Sequence, residues 1–329
     1  MDRLNFAIVG SSAFALRAAA ATARGDVDFA GVAGSTLQGA KALADQYGVR
    51  AYADFAELLA DPKVDAVWIT VKDALHAPMT IAALEAGKHV LVEKPMTVSV
   101  ADADVMVAAA RKAGRVLHVG NHQRMRPVYR LLRSELADGR IGKIRYARFH
   151  FFFGNFSNEI AEAPSRGSLE GSGGCWVLKE FGAHMVDLLR YCTGQEPAVV
   201  SSLLKTQRYA VETEDAATIT LELSEGGIAI VDVSAASHGW THTIQVHGSE
   251  GWVHGDGIWR GHGQLTWSDG EVSRFSLDDE LTPYFDQFVD FTAAVRGEPS
   301  VGATGEDGRA VLKVVEAALA FDQARKRLS

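Results

Sequence analysis

The opening stretch of the chain, about 120 residues, alternates short apolar runs with helix-forming segments, which constrains the fold more than any other feature. Leu4 to Val9 is an apolar run that stops at Gly10, and an Ala-rich stretch to Ala23 follows. Val27 to Ala33, Val64 to Val71, His89 to Val92 and Val116 to Val119 repeat the strand signal. Between them, Leu37 to Tyr47, a short segment capped by Asp54 and Glu57, Ala74 to Ala86 and the segment capped by Ser99 and Asp102 read as helices. Strands separated by helices of this length pair in parallel through right-handed crossovers. The expected fold is α/β, a doubly wound Rossmann domain, and such a sheet presents ligands beyond the carboxyl ends of its strands.

The texture changes after residue 123. Pro127 to Asp138 reads as helix, and Ile144 to Phe153 alternates as a strand with Phe149, Phe151 and Phe153 on one face. That stripe suits sheet core or an oligomer face. Trp176 to Cys192 reads as one helix closed by Gly194. Strands are then predicted over Val199–Thr206, Ala217–Leu223, Ile228–Ala236 and Thr243–His247, with tight turns that favour antiparallel pairing. Helices over Pro283–Arg296 and Glu306–Lys326 complete the chain. The expected organisation is a dinucleotide-binding domain over 1–123 and an α+β substrate-binding and oligomerisation domain over 124–329, built on a large, mostly antiparallel sheet.

With a formal net charge of −8 and no basic run, the chain offers no nucleic-acid surface, and no apolar stretch reaches the length of a membrane span. Cys175 and Cys192 fit no zinc or redox spacing, which suits a reducing cytoplasm, although the two could pair with each other. Histidines 238, 242, 247, 254 and 262 form no ligand-like cluster, so no metal is expected.

The first strand-to-helix turn reads Gly10-Ser11-Ser12-Ala13-Phe14-Ala15, with Gly10 and Ala15 matching the first and third positions of the dinucleotide fingerprint. Ser12 replaces the middle glycine and is still small enough for a pyrophosphate to approach a helix N-terminus. The second strand ends in Ala33-Gly34-Ser35-Thr36, without the acid that binds a free ribose 2′-hydroxyl. Nothing there repels a 2′-phosphate, and Ser35 and Thr36 can donate to one, so the cofactor tilts from NAD toward NADP. Lys41 lies nearby in sequence.

The segment Ala86-Gly87-Lys88-His89-Val90-Leu91-Val92-Glu93-Lys94-Pro95 resembles the "AGKHVxxEKP" run of the Gfo/Idh/MocA oxidoreductases. The resemblance extends along the chain. Val119-Gly120 with Arg124 resembles the next strand-end motif, with His122 where Asn is common, and Arg166 with Gly171-Ser172-Gly173-Gly174 resembles an "R…GGG" approach. Gly182, His184 and Asp187 resemble a "DxGxHxxD" helix, with Glu180 in place of the first Asp, and Gly305-Glu306-Asp307-Gly308 resembles "GEDG".

The resemblance implies hydride transfer between nicotinamide and a sugar, polyol or inositol, or its keto form. Lys94 would hold the substrate oxygen, His184 would act as general acid or base, and Glu180, one helical turn earlier, would orient it. Lys94 and His184 belong to different domains on this reading. Expected cofactor contacts are Gly10, Ser12, Phe14, Ala15, Ser35, Thr36, Thr70, His76, Glu93 and Lys94. Arg124 and Arg166 are candidates for substrate contact. A homodimer or homotetramer is implied. Two other readings fit the altered turn and Glu180: a non-catalytic ligand sensor, and a lyase or hydrolase that reduces and reoxidises a tightly bound NAD.

Overall fold

The structure, a computed structural model, describes residues 3–154, 167–257, 259, 262–276 and 279–328. It divides into two compact units, 1–125 with 281–309, and 126–280 with 310–329. The expected division at 123/124 falls two residues before the first crossing. It did not include the return of 281–309 to the first unit.

In the first unit, strands β1 (Leu4–Val9), β2 (Val27–Ala33), β3 (Arg50–Ala51), β4 (Ala66–Ile69), β5 (His89–Val92) and β6 (Leu117–Val119) form a parallel sheet. The order is β15-β6-β5-β4-β1-β2-β3, with β15 (Ala303–Thr304) antiparallel at one edge. The strand order reverses between β1 and β4, so their carboxyl ends frame the crevice of a doubly wound sheet. Helices α1 (Ala13–Arg24), α2 (Leu37–Tyr47), α3 (Phe55–Ala60), α4 (Asp73–Glu85) and α5 (Val100–Ala113) connect the strands. The predicted caps are present: Asp54 accepts from the Glu57 N–H at 2.8 Å, and Ser99 from the Asp102 N–H at 3.1 Å.

Buried Ala15, Ala18 and Ala19 let α1 lie close against the sheet. The other side of the core comes from far along the chain, where helix Thr282–Val295 sets Phe288 and Phe291 edge-on against Phe6, with ring centroids 4.8 and 5.9 Å away. Phe288 also stacks on Trp68.

In the second unit, eight strands run in the order β14-β13-β12-β11-β7-β10-β9-β8. β7 (Ile144–Phe152) pairs in parallel with β10 (Ile228–Ser234), and the remaining pairs are antiparallel. β8 (Pro197–Lys205), β9 (Ala216–Leu223) and β11 (Thr241–Gly248) fall where alternation predicts them. β12 (Trp252–Asp256), β13 (His262–Trp267) and β14 (Val272–Ser276) were not anticipated. They are short and mix polar with apolar residues, and β12 and β13 each carry an internal glycine, so alternation is weak. Phe149, Phe151 and Phe153 are fully buried within this unit, which makes the stripe core. Cys175 and Cys192 are both buried, and they are not joined in a disulfide.

The predicted helix over Trp176–Cys192 is two elements. A π turn spans Leu178–Gly182, and the α-helix proper runs Ala183–Thr193, ending on Gly194 in the left-handed region (φ 67°). No described helix is long and apolar enough to cross a membrane.

Truncating a fully buried phenylalanine removes transfer energy and leaves a cavity, about 3–5 kcal/mol in total. Phe149→Ala is expected to lower unfolding stability by that amount in urea denaturation. A loss below 1 kcal/mol would show that Phe149 is not core.

Candidate functional site

Gly10 ends β1 with φ 135°, a conformation that L side chains rarely adopt, and a Cβ there would collide with the Thr70 hydroxyl. Thr70 reaches back to β1: its N–H and its hydroxyl both donate to the Val9 carbonyl, at 2.8 and 3.0 Å. The Gly10 N–H donates to Ala33 O at 2.8 Å. Three strand ends therefore converge on this turn. Ser12 is the N-cap of α1, yet its side chain makes no capping bond; its hydroxyl donates to Thr70 O at 3.3 Å. The first-turn N–H groups of α1 lack that side-chain acceptor, and residues 11–13 are exposed, as a diphosphate site at a helix N-terminus requires. Ala15 is fully buried and packs α1 against the sheet. Phe14 is half-buried, with the Arg17 guanidinium 5.2 Å over its ring.

Ser35 and Thr36 are exposed at the end of β2, and Thr36 caps α2 by accepting from the Gly39 N–H at 3.1 Å. Lys41 pairs with Asp45 at 3.1 Å on the surface.

The "AGKHVxxEKP" segment divides by role. Lys88 is buried and donates to Asp61 O and Val64 O at 2.8 and 2.7 Å, while His89 accepts from the Val116 N–H at 3.0 Å. That half is structural. Glu93 is buried at the carboxyl end of β5 and accepts from the Trp68 indole at 3.1 Å. Burial raises its pKa to about 7, against the opposing pull of Lys94 and Arg17. Lys94 is half-buried, and the Lys94–Pro95 peptide is cis. His76, in the first turns of α4, lies 2.8 Å from Pro95 O through Nδ1 and 3.2 Å from Val71 O through Nε2. Burial lowers its pKa, with Lys94 acting in the same direction and Asp73 and the two carbonyl contacts opposing. His76 thus braces the Lys94–Pro95 turn.

Arg124 is buried, 3.3 Å from Asp307, whose carboxylate also accepts from the N–H and hydroxyl of Thr304 at 3.0 Å each. The "GEDG" match therefore includes an internal partner of Arg124. Arg166 lies outside the described residues.

In the second unit, the polar positions expected along a helix edge are largely buried: Lys179, His184 and Asp187 are each less than 5% exposed. Lys179 donates to the carbonyls of Ser172 and Gly173 at 2.6 and 3.0 Å. Glu180 sits in the π turn and accepts from the Trp176 indole at 2.9 Å. The four-residue spacing to His184 therefore spans a π-to-α junction, whereas a single regular helix was expected. π turns of this kind recur at functional sites. The His184 ring packs edge-on against Trp259, 5.4 Å between centroids.

Residues 4–121 match the family described as "Oxidoreductase family, NAD-binding Rossmann fold", and residues 129–254 match the "GFO/IDH/MocA C-terminal domain". The chain belongs to the Gfo/Idh/MocA oxidoreductase family. It is 33% identical to 1,5-anhydro-D-fructose reductase of Ensifer adhaerens, over 77% of this chain and 75% of that one. It is 28% identical to Myo-inositol 2-dehydrogenase of Thermotoga maritima, over 80% and 79%. The structure of GenD2 from gentamicin A biosynthesis, solved in complex with NAD, superposes with a TM-score of 0.84 at 28% identity, covering 98% of this chain and 95% of that one.

Two residues of this family member escaped sequence reasoning. Arg17, one turn into α1, acts on the charge of Glu93. Its signal was an arginine just after the glycine turn. Glu214 is buried and accepts from the Trp176 N–H at 3.0 Å and the Leu178 N–H at 2.8 Å, capping the helical segment that carries Glu180 and His184. Burial raises its pKa to about 7 although those bonds oppose the shift. Its partners lie 36 and 38 residues away, so no local pattern reveals it.

Ser12→Asp separates folding from ligand binding. Aspartate is a good N-cap and favours the helix N-terminus, but its charge repels a diphosphate. The variant is expected to keep its thermal midpoint within a few degrees and to bind NAD(H) at least about tenfold more weakly by calorimetry. Unchanged affinity would assign the turn a structural role only.

Proposed function

We propose that this chain is an NAD(P)-dependent dehydrogenase or reductase acting on a CH–OH or ketone carbon of a sugar, polyol or inositol. The observation that carries this reading is the Gly10–Thr70 turn with its uncapped helix, set beside Glu93-Lys94-Pro95 on the same sheet edge. The relatives named above supply the substrate class. Gly10, Ser12, Phe14, Thr70, His76, Glu93 and Lys94 hold the cofactor, with Ser35 and Thr36 toward the adenosine ribose and Ala15 keeping α1 close. When bound, the nicotinamide supplies the donor or acceptor of a hydride.

The remaining work falls to side chains. The Lys94 ammonium hydrogen-bonds the reacting oxygen and stabilises alkoxide charge as it develops. His184 gives a proton to that oxygen in reduction and takes it in oxidation. Glu180 orients His184 from the π turn. Arg124, held by Asp307, and Arg166 are candidate contacts for the substrate. A homodimer or homotetramer in the cytoplasm belongs to the same proposal.

Positioned acid–base groups contribute about 10²–10⁴ in rate. Lys94→Met and His184→Ala are each expected to lower kcat by that order while leaving cofactor affinity within threefold. Groups acting on one oxygen are non-additive, so the double variant should be little worse than the poorer single one. Full additivity would sink the shared role. A panel of polyols and keto-sugars with both cofactors, followed at about 340 nm where reduced nicotinamide absorbs, tests the reaction class. Absence of turnover throughout would favour a ligand sensor.

We place the cofactor preference on the NADP side, because no carboxylate follows β2. NADP(H) should bind at least as tightly as NAD(H) in calorimetric titrations. A clear preference for NAD would overturn this.

A further inference from the structure

Aromatic rings are concentrated beside His184. Phe151 of β7 is fully buried and forms the backing. Trp259 stacks on it with centroids 4.4 Å apart and planes 29° from parallel. Phe181 of the π turn lies 5.9 Å from Phe151, and Trp240 lies 5.6 Å from it. Trp259 then meets His184 at 5.4 Å and His242 at 5.5 Å. The wall is graded in exposure: Phe151 is inaccessible, Phe181 and Trp259 are half-buried, and Trp240 is 41% exposed. A core cluster would bury its large rings. This one leaves Trp259 partly accessible against His184, and Trp240 accessible against Phe151.

The rings of the wall are themselves uncharged, and the buried Arg126 cation lies near enough to act on His242. His242 is buried, and burial takes its pKa down to about 3, so it stays neutral at any working pH. Its Nε2 faces the Tyr129 hydroxyl at 3.4 Å. Small-molecule sites are mostly apolar and aromatic, with a few polar groups that fix orientation. Aromatic faces are electron-rich and attract the weakly positive hydrogens of C–H bonds. A six-membered sugar ring with equatorial hydroxyls turns several C–H bonds toward one face. An open-chain polyol presents no such face.

We infer that Trp259, backed by Phe151 and adjoining His184, is the stacking platform for the C–H face of a six-membered-ring substrate, and that this chain selects cyclic sugars or cyclic diols over open-chain polyols. Trp240 extends the platform to solvent. The inference rests on the reading of His184 above. His184 supplies the polar group that sets which carbon reacts, and Trp259 sets the plane of the ring.

Binding tests this apart from turnover. The full-length protein is titrated calorimetrically in non-reacting pairs: 1,5-anhydro-D-fructose on the NADP+ complex, and myo-inositol as ring probe and D-sorbitol as open-chain probe on the NADPH complex. The wild type should bind at least one ring probe about tenfold more tightly than D-sorbitol. Trp259→Ala should abolish that difference by weakening the ring probe about tenfold, the scale of one lost stack. Trp259→Phe should retain it within about threefold. Trp259→Leu keeps apolar volume without an aromatic face and should behave as Trp259→Ala; NADP+ affinity equal to wild type verifies that each variant is folded. Equal binding of ring and open-chain probes by the wild type, or ring binding unchanged in both Trp259→Ala and Trp259→Leu, overturns the inference. Loss of ring binding in these variants, without turnover by the wild type on any probe, supports the platform and overturns the dehydrogenase reading instead.

Discussion

The contact between Gly10 and Thr70 organises the first unit. β1 and β4 are neighbours whose helices leave on opposite sides, so their carboxyl ends diverge just beyond this point. Thr70 closes the gap by bonding Val9 O twice, and only a residue without a Cβ can pass in front of its hydroxyl. The consequence is a helix whose first turn starts at the sheet edge with its N–H groups turned outward and no side-chain cap. A side chain at residue 10 would push α1 away and undo the packing that buried Ala15, Ala18 and Ala19 permit. The missing middle glycine matters little because Ser12 folds its hydroxyl onto Thr70 O.

The second unit solves a related problem with charge. Its helical segment begins inside the protein, where uncapped N–H groups are costly. Glu214 supplies one carboxylate oxygen to Trp176 and the other to Leu178, and Lys179 takes up the carbonyls of Ser172 and Gly173. With both kinds of backbone group satisfied, the segment holds a π turn, which swings Glu180 onto the Trp176 indole and leaves His184 at the start of the regular helix. Asp215, next in sequence and fully buried, performs a parallel task, accepting from the N–H groups of Gln207, Arg208 and Tyr209. The adjacent acids thus shape two loops from one strand entrance.

Motif matching located the conspicuous residues but did not sort them. Within one decapeptide, Lys88 and His89 tie loops and strands together, while Glu93 and Lys94 stand at the strand end. Arg124, a candidate substrate contact, is also paired with Asp307 inside the same unit. His76, expected among the cofactor contacts, supports the Lys94–Pro95 turn from α4.

Local periodicity determined the Rossmann strands, their helices, the caps at Asp54 and Ser99, and the alternation of β7 and β9, because these depend on residues a few positions apart. The short motifs determined the family for the same reason, since they are contiguous stretches of chain. Only tertiary structure decided that residues 281–309 return to complete the first core, that the helix before His184 opens into a π turn, and that Glu214 caps it. Each of these is set by contacts between segments tens to hundreds of residues apart. Burial, hydrogen-bond satisfaction and a shifted pKa arise when such segments meet, and no window of sequence contains both partners.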